Sequence, residues 1–175
     1  MSSIRRWPAR SAFTMIELVT VIAILGIVAL SVGGPVLSSV SEVRSQAAAS
    51  RLVGDIRYMQ RTALSSGMRT WVVFDIPTNR YVLYIEDPAN PGKGGRVLMA
   101  QPLDQTTAPV QLGTGPFANV NLTSANIHYT GELEFDSFGV PYDGNGQALS
   151  TTGTVGLSSG VTISIRPVSG LVERS

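Results

Sequence analysis

Two carboxylates, Glu132 and Glu134, stand two residues apart in a stretch with strand-like alternation. Residues at i and i+2 share one face of a strand, so these acids have the placement that a glycosidase needs for its acid and base. Leu133 and Phe135 form the apolar face of the same stretch. The acids therefore belong to the polar face, where solvated charges are common, and we interpret them as surface residues without a catalytic role.

His128 is the single histidine of the 175-residue chain, which contains no cysteine. Alternation with Ala125, Ile127 and Tyr129 predicts that it lies on the polar face of a strand. A zinc site needs further His or Cys ligands, which are missing. Residues 143–146, Asp-Gly-Asn-Gly, resemble a calcium loop without its later bidentate Glu, so we predict a turn and keep calcium as an open alternative. The sequence thus predicts no enzyme, no catalytic residue, no metal site and no cofactor.

A third acid, Glu17, lies at the leading edge of an apolar segment. Residues 18–41 contain no Asp, Glu, Lys or Arg. Twenty-four helical residues extend about 36 Å, enough to cross a hydrocarbon layer of about 30 Å. A charge within such a layer costs up to roughly 3 kcal/mol near the centre and less at the edge. Glu17 therefore needs a partner or a function.

The residues before this segment predict its orientation. Arg5, Arg6 and Arg10 precede it without any acid, so the positive-inside rule leaves the N-terminus in the cytoplasm and the following domain outside. Three fates are open: a secretory signal cut after Ala29-Leu30-Ser31, which has the small-x-small pattern, an uncleaved anchor, or a cut before the apolar helix, between Ala12 and Phe13. An ordinary signal gives no reason for Glu17, whereas the third fate does.

Ala12 followed by Phe-Thr-Met-Ile-Glu-Leu resembles the cleavage and methylation motif of type IV pilins and of type II secretion pseudopilins. The resemblance implies that a prepilin peptidase removes residues 1–12, that Phe13 becomes the N-methylated terminus, and that Glu17, the fifth mature residue, makes a filament assembly contact. Ala12 stands where the family usually has Gly. Gly26 and Pro35 resemble the family's helix-weakening glycine and proline and are the predicted helix kinks.

The helix is predicted to continue beyond the membrane. Leu52, Ile56, Met59 and Ala63 recur at helical spacing and form one apolar stripe on which a domain can pack. Gly67 is a suitable residue to follow the helix end, so we expect the helix to stop near residues 65–66. An i, i+4 pair, Arg51 and Asp55, and two further arginines, Arg57 and Arg61, are interpreted as a solvated face away from the stripe.

Beyond Gly67 the apolar period changes to two. Residues 68–75 and 80–86 are predicted to form a hairpin, and alternation recurs in residues 125–130, 132–136 and 161–166, whereas 87–95 and 102–119 are predicted loops. We therefore predict an α+β, pilin-like fold, with a long N-terminal helix packed against an antiparallel β-sheet or sandwich. The predicted segments are the leader 1–12, the transmembrane half-helix 13–41, the amphipathic half-helix 42–66 and the β-rich periplasmic domain 67–175.

The second half of the chain also resembles one branch of this family. Phe135-Asp136, Gly139 and the terminal stretch 161–170 ending at Gly170 are similar to minor pseudopilins of the H type and to T-type minor pilins. This resemblance implies a structural subunit of the periplasmic pseudopilus that drives type II secretion. Its partners would be the prepilin peptidase, other major and minor pseudopilins and the inner-membrane assembly platform, and its location would be the inner membrane and then the pseudopilus.

The alternative is a minor pilin of a type IV pilus, which acts in assembly, twitching or DNA uptake. The chain has ten bases and twelve acids after the leader, so its general charge gives no attraction for nucleic acid. The terminal stretch SGLVERS also carries few bases. A basic patch assembled from Arg57, Arg61 and Arg69 stays open as the route to DNA binding.

Overall fold

The computed structural model describes the backbone of residues 13–175 and the side chains of residues 13–28 and 40–175. The predicted leader, residues 1–12, and the side chain of Pro35 lie outside the described residues. Residues 13–175 contain one α-helix, two short 3-10 helices (Lys93–Gly95 and Gly115–Phe117) and ten strands, and the second of two compact units, Ser41–Ser175, contains all of these strands.

Helix α1 runs from Met15 to Ser66. It ends where the sequence predicts, because Gly67 adopts a positive φ of 70° and its N–H donates to the Ala63 carbonyl at 3.0 Å. A residue with a side chain adopts this left-handed conformation only with strain, which explains the glycine.

Two antiparallel sheets follow the helix. The first has the order β3-β2-β1-β6-β7, with β4 pairing beside β2, and the second has the order β10-β9-β8-β5. The predicted hairpin is confirmed, since β1 and β2 pair from Thr70 opposite Ile85 to Asp75 opposite Arg80. The strand bounds are β1 Thr70–Asp75, β2 Arg80–Ile85, β3 Val97–Leu98, β4 Val110–Gln111, β5 Leu122–Asn126, β6 Glu132–Phe135, β7 Pro141–Asp143, β8 Gly153–Leu157, β9 Thr162–Ile165 and β10 Val172–Arg174.

A single apolar core joins α1 to both sheets. The predicted stripe, Leu52, Ile56, Met59 and Ala63, is fully buried there. The sheets contribute residues that include Leu83, Leu133, Phe135, Ile163 and Ile165. Removal of this apolar area from water stabilises the domain by about 25 cal/mol per Å². The predicted α+β arrangement, with a long helix packed on antiparallel sheet, is confirmed.

The predicted strand through residues 125–130 is wrong beyond Asn126. The chain turns at Ile127–Thr130, where His128 and Tyr129 have positive φ angles of 47° and 67°. The Tyr129 side chain is 98% exposed, so it does not belong to an apolar face. The Asn126 side-chain oxygen accepts a hydrogen bond from the Tyr129 N–H at 3.0 Å, which stabilises the turn and ends the alternation.

Candidate functional site

The start of α1 is organised around Thr14 and Glu17. Thr14 precedes the helix, and its carbonyl and hydroxyl oxygens lie 3.1 and 3.3 Å from the Glu17 backbone nitrogen. This arrangement, Thr-x-x-Glu at a helix start, is the first half of a capping box. The Glu17 side chain is exposed, and no ion pair to it is found within residues 13–175. The first turn thus presents a carboxylate beside the helix N-terminus, which favours negative charge.

Large exposed apolar side chains surround the chain from Phe13, just before the helix, onward. Phe13 and Ile16 are each 75% exposed, and the exposed set continues with Met15, Leu18, Val19, Val21, Ile22, Ile24, Leu25, Ile27 and Val28. A continuous exposed apolar surface of this kind marks a contact with a membrane or with other proteins. Gly26 lies within it, and no side chain approaches within 4 Å of the position that a Cβ would take there.

Among the residues that the structure describes, no helix has both the length and the hydropathy to cross a membrane. The predicted span, residues 13–41, includes residues 29–39, whose side chains lie outside that description. The predicted cleavage between Ala12 and Phe13 likewise involves a residue outside it, and the helix kinks at Gly26 and Pro35 stay predictions.

The predicted surface pair Glu132 and Glu134 is partly wrong. Glu134 is buried, and its carboxylate accepts a hydrogen bond from the Trp71 indole N–H at 2.9 Å and lies 3.4 Å from Arg69 Nη1. Glu132 pairs with Lys93 Nζ at 2.8 Å and with Arg96. Residues 93–96 cover this face of the sheet, which alternation within β6 could not indicate.

Burial raises the pKa of the Glu134 carboxyl above its ordinary value, although the Trp71 hydrogen bond and the Arg69 charge act in the opposite direction. The Arg96 guanidinium stacks 4.6 Å above the Tyr84 ring centroid and 6.0 Å from that of Trp71. Because each carboxylate of the pair has its own cationic partner, the two do not face a shared open cleft. Their arrangement is that of a structural network.

His128 links the two segments in which the chain passes from one sheet to the other, β5–β6 and β7–β8. Its Nε2 accepts hydrogen bonds from the Ser150 and Thr151 N–H groups, each at 3.2 Å, and its Nδ1 lies 3.7 Å from Asp143 Oδ2. The segment β5–β6 carries the histidine, and the segment β7–β8 carries its donors. The ring therefore holds the two crossings together.

The predicted turn at residues 143–146 is confirmed. Asp143 Oδ1 accepts hydrogen bonds from the Asn145 and Gln147 N–H groups, both at 2.9 Å. These bonds occupy the carboxylate within its own turn. Within residues 13–175, no group of three or more His, Cys, Asp or Glu side chains is arranged to hold a metal ion.

The sequence interpretation missed a buried ionic cluster between the helix and the first sheet. Asp55 is 1% exposed, accepts a hydrogen bond from the Tyr81 hydroxyl at 2.6 Å and pairs with Arg51 Nε at 2.9 Å. Arg51 also donates to the Gln101 side-chain oxygen at 2.6 Å. The i, i+4 pair was predicted, but its solvated placement is wrong, because the loop around Gln101 covers it.

This cluster perturbs two acid–base equilibria. Burial, followed by the charge and hydrogen bond of Asp55, raises the pKa of Tyr81 well above its ordinary value. For Arg51, burial acts to lower the pKa, but the hydrogen bond and charge of Asp55 outweigh it, so the pKa is raised. Both groups therefore keep their protons, and Asp55 has donors on two sides.

The three arginines of the predicted basic patch have different surroundings. Arg69 pairs with Glu134, whereas Arg57 donates to the Val172 carbonyl at 2.7 Å and Arg61 is exposed. Arg166, near the chain's last residues, pairs with Glu173 at 2.9 Å. These contacts leave no continuous basic stripe that includes Arg69.

The N-terminal region, residues 7–33, matches the family described as the prokaryotic N-terminal methylation motif. The match includes Ala12, Phe13, Glu17 and Gly26, and it supports a type IV pilin-like protein. It is also consistent with processing by a prepilin peptidase and with membrane anchoring. No curated protein and no solved structure matches the chain.

Proposed function

We propose that the chain is a minor pseudopilin, a structural subunit of the periplasmic pseudopilus of a type II secretion system. The subunit is held in the inner membrane by its N-terminal helix and is then moved into the filament by the assembly platform. The proposed role is mechanical rather than catalytic. The methylation motif, the exposed apolar helix and the separately packed β-rich unit support it.

Glu17 is the observation that carries the proposal. It lies four residues after Phe13, is exposed on an otherwise apolar helix start and has no ion pair within the described residues. In a bundle of such helices, its carboxylate can pair with the ammonium group of a neighbour's Phe13. Each charge would be costly alone in a low-dielectric environment, so the pair fixes the axial register of assembly.

Intact mass measurement and N-terminal sequencing of the membrane-extracted protein test the processing step. Cells with the prepilin peptidase should yield a chain that begins at Phe13 and carries one extra methyl group, and cells without it should yield the full leader. A chain beginning near Val32 in both strains would indicate an ordinary secreted protein and would contradict the proposal.

Glu17→Gln tests the register contact in processed protein. This change keeps the side-chain shape and removes the charge, so processing should continue while incorporation into filaments falls. Glu173→Gln is the matched control, because Glu173 is an exposed acid in β10 whose pair with Arg166 is at the surface. Normal incorporation of Glu17→Gln would contradict the assigned role.

A minor pilin of a type IV pilus is the second candidate, since the methylation motif is shared by both systems. Deletion of the gene distinguishes them: loss of exported proteins from the medium supports the pseudopilus, and loss of pili, twitching or DNA uptake supports the pilus. DNA binding is the weaker alternative, because Ser41–Ser175 carries ten bases and eleven acids.

A further inference from the structure

The basic residues of Ser41–Ser175 that lack a carboxylate partner lie on helix α1 or beside it. Six of the ten basic residues in Ser41–Ser175 have a carboxylate within 4.0 Å. In the described part of the chain, Arg44, Arg57, Arg61 and Arg174 have none. Three of these lie on α1, and Arg174 Nη1 lies 3.5 Å from the Ser50 hydroxyl of the same helix. These guanidinium groups are therefore open to the negative charge of a partner.

Arg57 and Arg174 line one cleft of about 280 Å³, together with Ser50, Val53 and Gly54. The Val172 carbonyl holds Arg57 and the Ser50 hydroxyl holds Arg174, yet a guanidinium has five N–H donors, so each keeps donors for a ligand. Gly54 has no side chain, and nothing lies within 4 Å of its Cβ position. Such a cleft suits a carboxylate, which guanidinium groups bind in bidentate fashion.

An apolar groove of about 610 Å³ adjoins this cleft, and Ser50 and Gly54 line both. Its other walls include Tyr58, Leu103 and Phe117. The Leu103 side chain is 76% exposed although it projects from a loop held by Arg51 through Gln101. A partner that places a carboxylate in the cleft can therefore place an apolar side chain beside it.

The chain itself carries the complementary pair, Glu42 and Val43. Glu42 is exposed on α1, with a hydrogen bond from Gln46 at 2.9 Å, and Val43 is 66% exposed. Glu42 precedes Arg57 by fifteen residues, which is about 22 Å along the axis and about 60° around it. A second copy displaced by that distance brings its Glu42 level with Arg57 and its Val43 level with Tyr58.

We propose that a second copy of this chain docks on α1, with its Glu42 in the cleft of Arg57 and Arg174 and its Val43 at the apolar groove. The two surfaces of this contact differ, so it is heterologous. The inference rests on the proposed filament function and adds that two copies of this subunit are neighbours.

Cysteine cross-linking in the full-length, membrane-resident chain tests the displacement. The chain contains no cysteine, so every disulfide arises from an introduced residue. Gln46→Cys and Arg61→Cys are exposed sites with the same fifteen-residue offset. Cells that express both single variants should form a disulfide-linked dimer, and cells that express either alone should not. Gln46→Cys with Ser50→Cys is the mismatched control pair, which should also give none.

Charge reversal tests the cleft. The double substitution Arg57→Glu and Arg174→Glu is introduced into the Arg61→Cys chain. The yield of disulfide-linked dimer should then fall to roughly a tenth or less, because two attractive contacts become repulsive. Arg44→Glu is the matched control and should leave the yield unchanged, since Arg44 is equally unpaired but lies thirteen residues from Arg57. Glu42→Arg in the Gln46→Cys chain should restore the dimer, which also shows that the reversed chain is folded.

The inference would be overturned if the mixed pair formed no dimer, if Gln46→Cys alone formed one, or if the charge reversals left the dimer yield unchanged. It would also be overturned if the introduced cysteines formed disulfides with a different subunit that carries a cysteine at the corresponding axial position. N-terminal mass measured on the same samples separates the two proposals. Chains processed at Phe13 without the dimer contradict the contact alone. Unprocessed chains that still form the dimer contradict the filament function alone, and unprocessed chains without it contradict both.

Discussion

The carboxylate of Asp55 in α1 lies 2.6 Å from the hydroxyl oxygen of Tyr81 in β2, with both residues buried. Arg51, on the preceding helical turn, completes the cluster and donates to Gln101 in the loop beyond β3. Three separate segments thus meet at one ion pair, with β2 in contact with Asp55 and the loop in contact with Arg51. The position of that loop depends on an ionic contact as well as on apolar packing.

Asp55→Ala should lower the free energy of unfolding by about 3 kcal/mol, because the partly buried Arg51 then has only Asp104, 4.0 Å away, as a carboxylate partner and the Tyr81 hydroxyl loses its acceptor. Tyr81→Phe removes one hydrogen bond and should cost only about 1–2 kcal/mol. Urea unfolding of the mature chain in detergent measures both. Glu173→Gln, at an exposed pair, should change stability by less than about 1 kcal/mol. Equal losses for Asp55→Ala and this control would show that the cluster does not stabilise the domain.

Glu134 predicts a pH dependence. Because burial raises its pKa in the folded chain, the folded state favours the protonated acid, and the stability it contributes is present below the ordinary pKa of 4.5 and is lost as pH rises through the folded value. Glu134→Gln does not titrate. The stability of the unmodified chain relative to this variant should therefore fall as pH rises from about 4 to 7. Thermal unfolding at a series of pH values measures it, and a constant or rising difference would contradict the prediction.

Gly170→Ala should be more destabilising than Gly146→Ala. Both glycines have positive φ, 62° and 77°, so both substitutions carry a strain of about 1 kcal/mol. A Cβ at position 170 would lie 2.4 Å from Gln60 Nε2 and 3.0 Å from Phe135 Cε1, whereas nothing lies within 4 Å at position 146. The additional cost at 170 should be about 1–3 kcal/mol. Denaturant midpoints compare the two variants, and equal midpoints would mean that Gln60 moves aside freely.

The fluorescence of Trp71 reports whether the domain is folded. The chain has two tryptophans, and Trp7 belongs to the predicted leader, so Trp71 would be the single one of the mature chain. Its side chain is fully buried and donates to Glu134. The mature protein should show a blue-shifted emission that iodide does not quench until the domain unfolds. Quenching of the folded protein would contradict the burial.

Local patterns predicted the elements well where one face meets the core. The stripe of Leu52 to Ala63, the end of α1 before Gly67 and the β1–β2 hairpin each depend on neighbours in sequence, and each is confirmed. The N-terminal motif is also local, and its match to residues 7–33 came from the residues alone.

Errors arose where distant segments cover a face. Asp55 and Glu134 lie on sides of their elements that alternation or helical spacing marks as polar, but the segments around Gln101 and Arg96 bury them. Residues 127–130 alternate as a strand would, yet the Asn126 side chain stabilises a turn there. The cleft of Arg57 and Arg174 joins residues far apart in sequence, so no local pattern predicts it.

Arg57 belongs to the helix, whereas Arg174, which lines the same cleft, and Val172, whose carbonyl accepts a hydrogen bond from Arg57, belong to the last strand. β10 joins the second sheet only through β9, which itself pairs with β8. The β8–β9 and β9–β10 pairings are local, whereas the hydrogen bond from Arg57 to the Val172 carbonyl joins residues 115 positions apart in sequence. Contacts of such large sequence separation are slow to form. The cleft that we propose as the contact surface therefore exists only on a subunit in which β10 has folded against the helix. A subunit without that strand in place lacks the docking site.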